Sequence, residues 1–278
     1  MTQTIQIGQI NTLLIDRITP PGIFLVDLGG NAVLLPNRYV QENMKIYDHL
    51  DVFVYTDSED RPVATTQFPK ILAGEFGVFE VKDVTKFGAF VDIGLLKDIL
   101  VPKNWQKTTF KIGDKKILKL LLDQRSNRLV CDERIERNFE KHESQLQIGQ
   151  KVDLIVYAKT PLGYKVIVEK KYEALLFTNE AFGKIKATDE LTGWIKNIRE
   201  DGKIDVSLQP IGSAKRQNAS DKILELLSVE NELSFTYKSD AEDIAKVFGV
   251  SKKSFKSALT ELLESNRIEL LPNSIKLK

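Results

Sequence analysis

The sequence predicts a mainly β chain that ends in an α-helical module. Up to about residue 210, short runs of β-branched and aromatic residues are separated by glycines and polar turns, a pattern typical of curled antiparallel sheets. One such unit occurs three times along this part of the chain. After residue 218 the apolar spacing becomes that of amphipathic helices. The chain has 278 residues, which is enough for several domains with cores of their own.

The most informative stretch is residues 74–102, GEFGVFEVKDVTKFGAFVDIGLLKDILVP. Its apolar runs predict three successive strands that are separated by a sharp bend and a turn. Gly88 lies at the bend, where glycine allows the backbone to turn sharply. Because Phe87 and Phe90 flank this bend, we expect both rings to reach the same face of the sheet.

This stretch resembles the RNA-binding repeat first described in ribosomal small-subunit protein S-one, which is an OB-type barrel of five strands. The resemblance implies that Phe87 and Phe90 form a platform for stacked bases, and that a charged cluster between the last two strands contacts RNA. The histidine that usually follows the third strand in that family is replaced here by Pro102, so we do not expect its contact. The expected RNA contacts of this copy are Phe87, Phe90, Lys103, Asp123, Arg125 and Arg128.

An internal repeat extends the prediction to the rest of the β region. A shift of 66 positions pairs Gly22 with Gly88 and Phe24 with Phe90, and a further shift of 75 pairs Gly88 with Gly163. Because this register holds over a whole unit twice, it predicts three copies of one barrel. The predicted boundaries are residues 1–68, 69–135 and 147–210 for the barrels and 136–146 for a linker.

The first two copies differ in the residues that could hold RNA. Residues 1–69 have a net charge of −4 and carry Pro21 where the second copy has Phe87, so we expect weak or no RNA binding and a mainly structural role. Residues 70–135 have a net charge of +4. This excess coincides with the aromatic bend and favours contact with a phosphate backbone, although a solvated basic face would have the same composition.

The third copy has lost the aromatic pair. Its platform positions hold Leu162 and Lys165. Tyr164 and Lys165 are candidate RNA contacts on a shifted stacking surface, whereas packing in the barrel core is the alternative for the nearby aromatic residues.

The C-terminal module follows a polar linker at residues 211–218. A capping box of Ser239 and Glu242 opens the second of three predicted helices, Gly249 ends it, and Ser251 caps the third. A hairpin completes the module. The arrangement over residues 219–278 resembles a winged helix, so the full prediction is three tandem OB-type five-stranded barrels followed by a winged-helix domain.

In winged-helix DNA readers the third helix enters the major groove. The early exposed residues of this helix are Lys252, Lys253 and Lys256, which are candidate nucleic-acid contacts. Lysines suit phosphates better than base edges, so they predict phosphate contact more than sequence readout. A solvated helix face on a docking module is the alternative.

The order of modules, together with GKIDVSLQP and YEALLFTNEAF, is similar to that of the bacterial conserved virulence factor B family. The resemblance implies RNA binding and an influence on gene expression, including virulence regulation, without a catalytic centre. Single-stranded RNA is the expected partner. The alternatives are a winged-helix DNA-binding transcription regulator and a non-catalytic adaptor on the ribosome or polymerase.

Other classes of function find little support in the residues. The chain has one cysteine and two histidines, so we expect no metal site, no cofactor and no enzyme activity. The glycine-rich segments bend strands and do not open helices, so they are poor phosphate loops. No apolar run is long enough to cross a bilayer and no signal peptide is visible, so we expect a cytoplasmic protein that does not associate with membranes.

Overall fold

The computed structural model describes residues 4–140, 146–181, 184–210 and 213–278. Three closed five-stranded barrels are followed by a module of helices and a small three-stranded sheet. The predicted fold class, mainly β with a C-terminal α module, is therefore confirmed.

The three barrels have five strands each. The first barrel consists of β1 (Ile10–Thr19), β2 (Gly22–Val26), β3 (Ala32–Pro36), β4 (His49–Thr56) and β5 (Pro62–Thr65). The second consists of β6 (Phe76–Val84), β7 (Gly88–Val91), β8 (Ile99–Pro102), β9 (Lys115–Asp123) and β10 (Arg128–Asp132). The third consists of β11 (Lys151–Thr160), β12 (Gly163–Val168), β13 (Tyr172–Phe177), β14 (Glu190–Ile198) and β15 (Ile204–Ser207).

All three barrels share one topology. The first strand pairs with the second and the fourth, and the third strand runs parallel to the fifth, which closes the sheet. This is the strand order of an OB-type barrel. A bulge interrupts the first strand at Asp16, Lys82 and Tyr157, positions that are separated by the same shifts of 66 and 75 residues as the sequence repeat. The structure thus confirms the repeat.

Each barrel begins its second strand with a glycine that no other residue could replace without strain. Gly22, Gly88 and Gly163 have φ angles of +151°, +156° and +155°. A Cβ atom added to any of them would lie 2.1–2.2 Å from a carbonyl oxygen on the third strand of the same barrel. The bend predicted at Gly88 is therefore a close approach of two backbones, which only glycine allows.

The first two barrels pack closely on each other. Phe53 and Tyr55 of β4 are buried in the same apolar cluster as Ile93 and Leu129 of the second barrel. The chain between the barrels is also held to the first one, since the Ala73 N–H donates to the Gly8 carbonyl at 2.8 Å.

The second and third barrels meet at an aromatic contact. The Phe139 ring lies between Phe76 of the second barrel and Tyr157 of the third, with centroid distances of 5.2 and 5.7 Å. Phe139 belongs to the segment that we predicted as a linker or short helix at residues 136–146, of which residues 141–145 lie outside the described residues. A 3₁₀ turn at Ile135–Arg137 is the helical structure described in this segment.

The C-terminal module has a winged-helix arrangement. Its elements are α1 (Ser213–Glu230), β16 (Glu232–Leu233), α2 (Ala241–Phe248), α3 (Lys252–Glu264), β17 (Ile268–Leu270) and β18 (Ile275–Leu277). Ile223, Phe248 and Phe255 are buried in its core. None of the helices that the structure describes is long and apolar enough to cross a membrane.

Several local predictions in this module are corrected. Helix α1 begins at Ser213, inside the predicted linker at residues 211–218. The linker part of the helix has no apolar face, but it is rich in residues with good helix propensity. Asp240 caps α2, accepting from the Glu242 N–H at 2.8 Å, while the Ser239 hydroxyl accepts from the preceding turn. The helical spacing of Ile244, Val247 and Phe248 predicts that all three side chains face inward, but Val247 is 41% exposed. The caps at Gly249 and Ser251 are confirmed.

Candidate nucleic-acid interface

A groove of about 370 Å³ lies where the first two barrels meet, and we call it the platform groove. The second barrel contributes Phe87, Phe90, Lys97 and Arg128 to its lining, among others. The first barrel contributes Tyr55 and Thr56, which end β4. The groove therefore combines both predicted platform rings with residues of a neighbouring barrel.

Phe87 presents an open ring on a fixed backbone. Its side chain is 68% exposed. The Thr85 hydroxyl accepts from the Phe87 N–H at 3.3 Å, and the Phe87 carbonyl accepts from the Lys103 N–H at 3.0 Å. The ammonium of Lys86 lies 5.0 Å from the ring centroid. A rigidly held, solvent-facing ring with a cation beside it is suited to stacking on a nucleotide base.

Phe90 reaches the groove from strand β7. Its neighbours Ala89 and Val91 are fully buried inside the barrel, so the alternation of a strand turns Phe90 outward. Phe90 is half-buried, which makes it less accessible than Phe87. The two rings therefore line the same groove, as their spacing around the bend predicts, but with different exposure.

Arg128 is already paired within the chain. Its Nε and Nη2 atoms each donate to one carboxylate oxygen of Asp60, and the Nη2–Oδ2 distance is 2.6 Å. Asp60 belongs to the turn between β4 and β5 of the first barrel. The hydrogen bond from Arg128 is the main cause that lowers the pKa of Asp60 below its usual value. This predicted RNA contact thus borders the groove as one half of an ion pair between barrels.

Lys97 is a cation of the platform groove that sequence reasoning missed. Its ammonium donates to the backbone carbonyls of Thr56 at 3.2 Å and Asp57 at 2.9 Å. Burial between the barrels lowers the pKa of Lys97. Lys86 was also missed, although its position next to Phe87 could have indicated it. No local pattern indicates Lys97, because its partners belong to another barrel.

Asp123 ends β9, and Arg125 lies on the turn between β9 and β10. The Asp123 carboxylate accepts from the Ser126 hydroxyl at 2.6 Å, a bond that lowers the pKa of Asp123. Asp123 therefore shapes the turn. Arg125 is exposed, and its guanidinium forms no ion pair in the described part of the chain.

Lys103 borders a second, more polar groove of about 410 Å³, lined also by Gly88, Gln106 and Thr108. We call it the bend groove, because it adjoins the platform groove at the Phe87–Gly88 bend. The Lys103 ammonium has no carboxylate partner among residues 4–140, 146–181, 184–210 and 213–278. Lys107 borders the same groove and pairs with Glu136.

The predicted contacts of the third barrel have internal partners. Tyr164 is partly buried against the barrel core. The Lys165 ammonium bonds to the Glu173 carboxylate at 3.0 Å. Lys165 lines a groove of about 450 Å³ together with Arg199, whose guanidinium is paired with Asp205 at 2.6 Å. The cations of this face are thus neutralised by neighbouring carboxylates, unlike Lys103 and Arg125. RNA contact by Tyr164 and Lys165 stays a prediction.

The winged helix places its three predicted lysines at the start of α3. Lys253 and Lys256 are exposed, and Lys252 is half-buried. None of the three forms an ion pair with another described residue. The Ser251 side chain caps the helix by accepting from the Ser254 N–H at 3.2 Å, which fixes where this cationic turn begins.

Comparisons with known proteins agree with this architecture. A family model of the S1 domain matches residues 7–67, the first barrel, and a model of the CvfB-like winged helix domain matches residues 221–277. The chain is 30% identical to the uncharacterized protein YitL of Bacillus subtilis, over 94% of this chain and 90% of that protein. It is 24% identical to conserved virulence factor B of Staphylococcus saprophyticus, over 85% and 82% of the two chains.

Among solved structures, a multidomain protein with nucleic acid binding domains from Streptococcus pneumoniae aligns over 98% of both chains, with 24% identity and a TM-score of 0.41. The barrels and the terminal module define a multidomain protein of the nucleic-acid-binding class, built from S1-type barrels and a winged helix. The chain belongs to the conserved virulence factor B family, which is the family that its module order indicates.

Proposed function

We propose that this protein binds single-stranded RNA through the platform groove of its second barrel and thereby influences gene expression. The observation that carries the proposal is the solvent-facing Phe87 ring beside Phe90 in one groove. Stacking of a base on an aromatic side chain contributes about 1–3 kcal/mol and tolerates different sequences. The bases of single strands are open to such stacking, whereas those of a duplex are not.

Cations around the two grooves support a path for the phosphate backbone. Lys86 lies beside the Phe87 ring, Lys103 borders the bend groove, and Arg125 lies on the β9–β10 turn. Lys103 and Arg125 form no ion pair with a described carboxylate, so each could bind a phosphate without losing a partner. We expect an affinity that falls steeply with salt, because phosphate contacts release counterions.

The packing of the barrels supports binding by several modules acting together. Apolar contacts join the first barrel to the second, and the aromatic contact at Phe139 joins the second to the third. Weak sites held at fixed separation raise each other's effective concentration. The modest positive charge of a single barrel is therefore compatible with useful affinity in the whole chain.

The wider proposal is a non-catalytic, cytoplasmic regulator. Family membership supports it, because the staphylococcal relative is named as a virulence factor and the matched models are S1 and winged-helix domains. A second candidate function is binding of duplex DNA by α3, which is favoured by the absence of carboxylate partners for Lys252, Lys253 and Lys256 among the described residues.

A titration of the full-length protein tests the proposal. Labelled single-stranded RNA, single-stranded DNA and duplex DNA are titrated at about 50 and 200 mM salt, a range over which phosphate contacts change affinity strongly. We expect the tightest binding to single-stranded RNA. Preference for duplex DNA would favour the second candidate, and no binding to any probe would contradict both.

A further inference from the structure

The turn between β4 and β5 of the first barrel, residues 57–61, reaches across to the platform groove of the second. We call it the acidic turn, since it contains Asp57, Glu59 and Asp60. We propose that Asp60 occupies a phosphate site of the second barrel, so that bound RNA must displace this carboxylate from Arg128. The inference rests on the proposed function and adds to it a competition within the chain.

The internal hydrogen bonds of the acidic turn leave Asp60 free for this role. The Asp57 carboxylate accepts from Nε and Nη2 of Arg61 at 2.9 and 2.7 Å, and from the backbone N–H groups of Glu59 and Arg61. Asp57 therefore builds the turn. The Asp60 side chain takes no part in these bonds, and it points at the second barrel.

The contact of Asp60 has the geometry that a phosphate would use. Two nitrogen atoms of the Arg128 guanidinium donate to the two carboxylate oxygens, one bond to each. A planar guanidinium binds carboxylate and phosphate oxygens in this same forked manner. Arg128 also lines the groove of Phe87 and Phe90, where the phosphate of a stacked nucleotide would lie. Carboxylate and phosphate are therefore alternative partners of one guanidinium.

Lys97 holds the acidic turn in place without using a carboxylate. Its ammonium donates to the backbone carbonyls of Thr56 and Asp57, at the base of the turn. The turn thus stays attached to the second barrel when the Asp60 side chain moves away. Displacement needs a side-chain rotation of Asp60 or Arg128 and no separation of the barrels.

The charges of the two barrels fit this arrangement. The repeat register aligns Glu59 with Arg125 and Asp60 with Ser126, so the second barrel has neither acidic residue in its own turn, whereas the third copy has Glu200 and Asp201 at these positions. Both partners of the ion pair remain accessible, with side chains that are 50% exposed for Arg128 and 45% for Asp60. An anion in solution can therefore reach the pair, and exposed ion pairs are weak enough to be exchanged.

The test compares Asp60→Asn with a matched control, Glu59→Gln, in the full chain. Asparagine suits position 60, because Asp60 has a φ of +64° and asparagine tolerates this conformation well. Glu59→Gln removes the same charge from the same turn, but Glu59 contacts Arg61 and not Arg128. A labelled single-stranded RNA of about 12 nucleotides, near the site size of such barrels, is the probe.

We expect Asp60→Asn to bind this RNA about two- to five-fold more tightly than the wild type. The gain is small because the free energy of an exposed ion pair, which RNA must overcome in the wild type, is small. We expect Glu59→Gln to gain clearly less. The gain should disappear in an Arg128→Gln background. Without Arg128 there is no guanidinium that the loss of the Asp60 charge could make available to RNA. Thermal unfolding of each variant checks that the barrels remain folded.

Three results would overturn the inference: no gain in Asp60→Asn, an equal gain in Glu59→Gln, or a gain that persists without Arg128. In each of these cases the wild type binds RNA, so the proposed function survives. Failure of the wild type and every variant to bind RNA would overturn the proposed function together with this inference.

Discussion

Gly88 and Val101 are in backbone contact: a Cβ atom at position 88 would lie 2.2 Å from the Val101 carbonyl oxygen. This approach draws β7 against β8 and turns the chain so that Phe87 stands clear of the barrel. One glycine thus connects the closure of the barrel with the exposure of the platform ring.

Gly88→Ala is expected to destabilise the second barrel by about 1–3 kcal/mol or more, because alanine adds both a strained φ and a steric clash. Thermal unfolding of the full chain measures the effect. Gly113→Ala is the matched control, since Gly113 has a φ of +85° and a Cβ atom added there would meet open space. If the two substitutions lower the stability equally, the clash with the Val101 carbonyl adds nothing to the destabilisation.

Loss of the platform rings should weaken RNA binding without unfolding the barrel. The double substitution of Phe87 and Phe90 by alanine removes both stacking surfaces, each worth about 1–3 kcal/mol per base. Affinity for single-stranded RNA at fixed salt is the measurement. The control is Ile112→Ala, because Ile112 belongs to the same barrel and is as exposed as Phe87, at 68%, but lies outside both grooves. Unchanged affinity of the double variant would remove the stacking argument.

The sequence predicts the barrels well because the signals are local and repeated. Gly22, Gly88 and Gly163 occupy the same bend in three copies, and the bulges follow the same spacing. Strand alternation also places Phe90 outside the barrel, since Ala89 and Val91 point inward. Each of these features depends on a few residues that are close together in the sequence, so the sequence pattern is enough to predict it.

Contacts between barrels could not be predicted in this way. The pairing of Arg128 with Asp60 spans 68 positions and depends on how two finished barrels pack. The same holds for Lys97 at the acidic turn and for Phe139 between Phe76 and Tyr157. Composition shows that one barrel is acidic and the next basic, but it does not show which charges meet.

Acid should weaken the second barrel through Asp132, whose side chain is only 4% exposed. Burial acts to raise the pKa of this carboxyl, but hydrogen bonds from the Arg134 side chain and backbone outweigh it and the pKa is lowered. A lowered pKa stabilises the folded state above the unfolded value of about 3.9, and this contribution is lost as the pH falls through the folded pKa.

We therefore expect Asp132→Asn to be less stable than the wild type by about 1–3 kcal/mol at pH 7, since it removes charge-assisted hydrogen bonds to Arg134. The difference should shrink as the pH falls below about 4. Unfolding by denaturant at pH 7 and at about pH 3 measures both values. A difference that does not change with pH would contradict the assignment.

The lysines of α3 distinguish the two candidate nucleic acids. Replacing Lys252, Lys253 and Lys256 by glutamine removes three positive charges that have no carboxylate partner in the described structure, so the fold should tolerate the change. If these side chains neutralise duplex phosphates, the salt dependence of duplex binding should become shallower by about 0.9 for each phosphate that the variant no longer neutralises. Binding of single-stranded RNA should change far less, because the platform groove lies in another module.

A matched variant separates a specific contact from a general loss of charge. Lys246→Gln removes a positive charge from the exposed side of α2, in the same module but outside α3. We expect it to leave the salt slope of duplex binding unchanged. If instead the triple variant weakens RNA and duplex binding equally, the lysines act only through net charge. The lysine-bearing face of α3 would then be a solvated surface and not a DNA-binding site.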